Sequence, residues 1–92
     1  MIEASAAANE PRDIRIKRLA MRSMRRGIKE MDILLSGYAD ANLAAMEPEK
    51  MDLYDLLLRE NDQDLYQWVT GQAPAPDHFH ALVDEISRTY EK

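Results

Sequence analysis

From Asp13 to Arg25 the apolar residues Ile16, Leu19, Ala20 and Met24 recur at three- and four-residue intervals, with arginines filling the other faces, which predicts an amphipathic helix. Gly27 interrupts that pattern. A second run, Met31, Leu34, Leu35, Tyr38, Ala41 and Ala45, repeats at the same spacing and ends before Pro48, predicting a second helix with Gly37 as a weak point inside it. Pro48 suits the first turn of a third helix, where its missing N–H is no loss, and Met51, Tyr54, Leu57 and Leu58 carry that helix to about Glu60. Asn61 or Asp62 is placed to cap a short fourth helix with Leu65, Trp68 and Val69 on its inner face, closed by Gly71. Pro74 and Pro76 mark a loop, after which Phe79, Leu82, Val83, Ile86 and Tyr90 predict a fifth helix. No window alternates apolar and polar residues, so no sheet is expected. Because no single helix can bury its stripe alone, the expected fold is all-α, a compact five-helix bundle, with Trp68 and Phe79 among the core candidates.

Length and composition narrow the picture. A chain of 92 residues makes one small domain, and 46% hydrophobic with 32% charged residues is a balance that folds. Residues 1–12, Ala-rich and without periodicity, read as a mobile N-terminal tail, and residues 13–92 as the helical domain. There is no Cys, which removes disulfides, thiolate metal sites and cysteine nucleophiles and fits a reducing compartment. No apolar run is long enough to cross a bilayer, so membrane insertion is not expected. Residues 1–11 contain Glu3 and Glu10 but no Lys or Arg, unlike a mitochondrial presequence, and the expected location is therefore the cytoplasm of a bacterium.

The net charge of -5 hides an asymmetry. Residues 12–29 hold Arg12, Arg15, Lys17, Arg18, Arg22, Arg25, Arg26 and Lys29 against the single acid Asp13, whereas the remainder of the chain is strongly acidic. Such a stretch either attracts a polyanion or an acidic protein surface, or it is neutralised by the acidic part of its own domain.

Searching for chemistry yields little. His78 and His80, the only histidines, are two apart and would point to different sides of a helix, so they do not form a shared metal site. The glycines are too far apart for a phosphate loop, and Ser5, Ser23, Ser36 and Ser87 lack the setting of a nucleophile. Glu47, Glu49, Asp52 and Asp55 resemble a carboxylate cluster, but the start of the third helix explains them through its dipole. A domain of this size leaves little interior for a cofactor cavity, so no catalytic, cofactor-binding or metal residue is assigned and function is expected on the surface.

One local feature is poorly explained by bundle logic: RRGIKEMD, Arg25 to Asp32. A glycine at a helix junction implies a sharp turn or a close approach of another backbone. Arg26 and Glu30 are four apart, yet an exposed pair in that order contributes only ~0.3–0.5 kcal/mol. An Arg fork, a glycine and nearby acids together suggest a flat polar docking surface made of Arg25, Arg26, Gly27, Glu30 and Asp32.

These residues resemble those of a known family, the small FAD assembly factors of succinate dehydrogenase, called SdhE in bacteria and succinate dehydrogenase assembly factor 2 in mitochondria. The family's RGxxE motif is matched by Arg26, Gly27 and Glu30, followed by Met31 and Asp32, and its DxDLxxW pattern by Asp62, Asp64, Leu65 and Trp68. The resemblance spans about residues 14 to 90. It implies a non-enzymatic chaperone, a monomer by default, that binds the flavoprotein subunit of succinate dehydrogenase and, in some bacteria, of fumarate reductase. The factor promotes covalent attachment of FAD to a histidine of that partner while holding no cofactor stably itself. It further implies that Arg26 pairs with acidic or carbonyl groups of the flavoprotein, Gly27 permits close approach and Glu30 accepts bonds, with Arg25 and Asp32 flanking. The rival class is a nucleic-acid- or membrane-binding basic helix centred on Arg12 to Lys29; an antitoxin-like partner of a small membrane protein is a third class, supported only by the charge imbalance.

Overall fold

The computed structural model describes residues 10–91, and the part of the expected tail over residues 1–9, with the side chain of Tyr90, lies outside the described residues. Among the described residues five α-helices follow one another: α1 (Arg12–Arg22), α2 (Lys29–Asn42), α3 (Pro48–Leu57), α4 (Asp62–Val69) and α5 (His80–Glu91). Single 3-10 turns at Leu43–Ala45 and Asp77–Phe79 join α2 to α3 and lead into α5. No strand occurs among the described residues, so the all-α expectation stands.

The helices form where the apolar stripes call for them. α2 occupies the middle of the bundle, packing against α1, α4 and α5, and buries Met31, Leu34, Leu35, Tyr38 and Ala39. From α3 come Met51, Tyr54 and Leu57, from α4 Leu65 and Val69, and from the last segment Phe79, Leu82, Val83 and Ile86, completing one continuous core. Pro48 stands at the first turn of α3 as expected. Asn61 caps α4 by accepting a bond from the amide of Gln63 at 2.7 Å, and Gly71, at φ 81°, takes the left-handed conformation that closes it.

Besides the end of α3, which falls at Leu57 and not near Glu60, three details differ from the pattern reading. α1 stops at Arg22 rather than Arg25. The buried Ser23 hydroxyl turns back to the carbonyl of Leu19 at 2.8 Å and meets the Tyr54 hydroxyl at 2.6 Å, a local alternative to continued helix. Arg25 then adopts φ 57°, so the sharp turn falls on an arginine and not on Gly27. Secondly, Trp68 is only partly buried, packing over Phe79 with ring centroids 6.1 Å apart, while Phe79 is in the core. Thirdly, Arg12 belongs to α1 and Glu10 pairs with Arg18 at 2.9 Å, so residues 10–12, counted with the tail above, are part of the folded domain.

Candidate functional site

The basic face of α1, continued by Arg26 beyond its end, meets the acids of α3 and of the first turn of α4. Arg15, Arg18, Arg22 and Arg26 are spaced three, four and four apart, and Asp52, Asp55 and Asp62 lie opposite them. Arg15 pairs with Asp52, Arg18 reaches Asp55 at 3.3 Å as well as Glu10, and Arg22 pairs with Asp55 at 2.5 Å. Bonding to Glu10, outweighing the opposing effect of burial, raises the pKa of Arg18 and keeps it charged. Arg12 donates instead to the carbonyls of Ala44 and Met46, at 3.0 and 2.8 Å. The carboxylate cluster at the start of α3 therefore serves α1 in part: Asp52 and Asp55 are ion-pair partners, and Asp55 is buried. Among the described residues no group of three or more His, Asp or Glu side chains is arranged to hold a metal ion. No helix among them is long and apolar enough to cross a membrane.

The last rung builds the candidate site. Arg26 Nε donates to Asp62 Oδ1 at 2.8 Å and its Nη2 approaches the same oxygen at 2.7 Å, while Asp62 Oδ2 accepts from the amide of Gly27 at 2.5 Å. One carboxylate thus holds a guanidinium and the next residue's backbone. The same guanidinium donates through Nη1 to the carbonyls of Arg22 and Leu58, both at 3.1 Å, and through Nη2 to that of Glu60 at 3.3 Å. It satisfies carbonyls left over where α1 and α3 end, which the backbone cannot do. On the other side of the turn, Asp32 Oδ1 accepts the amide of Arg25 at 2.8 Å, fixing the one left-handed non-glycine residue among those described.

This geometry divides the five expected docking residues. Arg26, with 11% of its side chain exposed, is committed to its own chain, and the expectation that it reaches outward to a partner is not what the free protein displays. Asp32 is half-buried and bonded to the turn. Gly27, Glu30 and Arg25 are exposed, and Glu30 and the side chain of Arg25 have no ion pair among the described residues. Gly27 does make room, but for its own chain: a Cβ there would stand 3.2 Å from Asp62 Oδ2. Asp62 was read above as a possible cap and as part of a motif, never as the acceptor for Arg26. Two oppositely charged stripes at helical spacing were the available signal, and the contact between them is a tertiary fact.

Taken together, the molecule is an all-helical domain whose RG and DxDLxxW segments close on each other and leave a glycine edge and a carboxylate facing outward. Residues 17–90 match the family model described as "Flavinator of succinate dehydrogenase", and the chain belongs to that family. It is 45% identical over 74 residues to succinate dehydrogenase assembly factor 2, mitochondrial, of Candida glabrata, covering 77% of this chain and 48% of the relative. Against the protein of the same name from Saccharomyces cerevisiae (strain YJM789) it is 46% identical over 72 residues, covering 75% and 44%. For Drosophila grimshawi the figures are 35% over 86 residues, covering 91% and 58%. The chain thus spans about half the length of the curated relatives it matches.

These relatives correct one expectation. They come from yeasts and a fly and are named mitochondrial, which overturns the placement in a bacterial cytoplasm. That placement rested on the charge of eleven residues, and an import address is read by a receptor instead of being imposed by the fold, so a folded domain keeps no physical record of it.

Proposed function

We propose that this chain is an assembly factor that binds the flavoprotein subunit of succinate dehydrogenase and promotes covalent attachment of FAD to a histidine of that subunit. It holds no cofactor stably and supplies no catalytic group. Within the partner's own active site an imidazole nitrogen is joined to the flavin methyl carbon as one methyl C–H and the imidazole N–H are broken. The two protons and two electrons released pass to the flavin ring, which is its own oxidant. Holding two reacting groups in a favourable orientation contributes several kcal/mol to lowering a barrier, which is what a docked helper supplies.

The observation that carries this reading is the turn itself, in a chain whose family is that of the flavinator. Asp62 clamps Arg26 and the Gly27 amide, so Gly27 and Glu30 are presented in one fixed arrangement. A rigid edge loses little conformational entropy on docking. Glu30 accepts hydrogen bonds from the flavoprotein, Gly27 lets its backbone approach, and Arg25 pairs with an acid. Arg26 and Asp32 are positioning residues that hold the turn from within. The test is in-gel flavin fluorescence of the flavoprotein subunit in a host strain lacking this chain. Fluorescence is expected to be lost, restored by the wild-type chain and not by Glu30→Ala; full fluorescence in the deletion strain would overturn the proposal.

A further inference from the structure

We propose that the groove between α1 and α2 receives an apolar side chain flanked by carboxylates, carried by the same flavoprotein subunit that docks at Glu30. This inference rests on the function proposed above and extends its surface. The groove measures about 410 Å³ and is lined by Ala20, Met24, Ser36, Gly37, Ala39 and Asp40. Of the lining residues Met24 is 47% exposed, and Ile33, one helical turn before Gly37 on α2, is 65% exposed. Glu30, Ile33 and Gly37 fall at i, i+3 and i+7 on α2, so one helical face runs from the docking carboxylate to the groove.

Gly37 is the residue the fold itself does not account for. It sits inside α2, its φ is not in the left-handed region, and a Cβ added there would meet nothing within 4 Å. Neither backbone conformation nor internal packing calls for glycine, and alanine is the better helix former. What its missing side chain does is keep the groove open.

Charge selects the occupant. The arginines facing α3 are paired with acids of their own chain, whereas Lys17, Arg25 and Lys29 are exposed and without an ion pair among the described residues. By helical register Lys17 is one turn from Ala20 on α1 and Lys29 is in line with Ser36 on α2, so two of the cations without an ion pair border this groove. An apolar anchor in a hollow with opposite charges at its rim is the usual anatomy of a protein interface. An anionic membrane is the weaker match, because the face is concave and also bears Asp40 and Glu30.

The test titrates the full chain against purified succinate dehydrogenase flavoprotein subunit at low and high salt. Gly37→Gln and Ile33→Asp are each expected to weaken binding about tenfold or more, the scale of an interface anchor, with the melting temperature of Gly37→Gln unchanged or raised. Lys17→Glu combined with Lys29→Glu is expected to weaken binding and to flatten its salt dependence. If Glu30→Ala weakens binding while Gly37→Gln and Ile33→Asp stay within about twofold of wild type, the groove is not part of the interface, though docking at Glu30 survives. No binding by the wild-type chain removes both ideas. Sedimentation showing a dimer that Gly37→Gln dissociates would assign the groove to a second copy. Binding to phosphatidylserine vesicles that Ile33→Asp abolishes would assign it to lipid. Either result overturns the proposal.

Discussion

Asp62 accepts from both the Arg26 guanidinium and the Gly27 amide, so removing it leaves two partly desolvated donors without an acceptor. Breaking one side of such a pair is more damaging than its absence would be, because the surviving charge stays where water reaches it poorly. Asp62→Ala is expected to destabilise the fold by roughly 2–3 kcal/mol, lowering the melting temperature by ~10 °C or more in a domain of this size. Calorimetry on the variant checks this, and a shift of a degree or two would mean the clamp is incidental. Glu30→Ala should behave oppositely. With no ion pair to lose, it is expected to change stability by no more than ~1 kcal/mol while abolishing flavinylation of the partner. Gly27→Ala falls between the two, since its Cβ at 3.2 Å from Asp62 Oδ2 makes the clamp yield. Of the motif's residues, the glycine and the glutamate were readable as surface from the sequence. The arginine was not, because nothing in RGxxE says which acid its fork will find.

At the level of the helix, the pairing of α1 with α3 is graded by burial. Asp55 is buried and shared between Arg18 and Arg22, whereas the Asp52 side chain is 70% exposed opposite Arg15. Asp55→Ala is therefore expected to cost about 2–4 kcal/mol and Asp52→Ala under ~1 kcal/mol, the exposed pair being screened by solvent. Urea denaturation of the two variants tests the order, and equal midpoints would contradict it. Helix positions and most inward faces followed from three- and four-residue spacing. The early end of α1 did not, because the Ser23 hydroxyl finds Tyr54, which is far away in sequence. The end of α3 escaped for the same reason: Arg26 takes up the carbonyls of Leu58 and Glu60 from across the bundle.

Across the whole molecule, the core carries titratable groups whose ionisation is tied to folding. Burial raises the pKa of Tyr38, helped by the bond its hydroxyl donates to Glu85 at 2.8 Å. Burial likewise pushes Tyr54 up to about 12, against the lowering effects of Ser23 and Arg26. In the unfolded chain both phenols ionise near pH ~10, so the stability they contribute is full below that value and is lost as pH rises toward the folded-state values. Tyrosinate absorbance and circular dichroism should accordingly change together above pH ~10; ionisation of Tyr38 and Tyr54 at the ordinary value with the helices intact would contradict this. For Glu85, burial acts to raise the pKa, but bonds from Lys50 and Tyr38 outweigh it and hold the carboxyl below its usual range. Its contribution is present above the ordinary carboxylate pKa and is lost as pH falls through the lower folded value.

Helix number, the core stripe and the outward position of Gly27 and Glu30 were settled by local rules, because helical periodicity and glycine's lack of a side chain act over a few residues. Whether the basic stretch stays free was decided only by the tertiary structure. Asp52, Asp55 and Asp62 are more than thirty residues from the arginines they neutralise, and only the packing of α3 and the start of α4 beside α1 and the turn after it brings them within bonding distance. The same packing turned Arg26 inward onto its own chain, since a fork of donors goes to whichever carbonyls and carboxylate the fold leaves unpaired nearby.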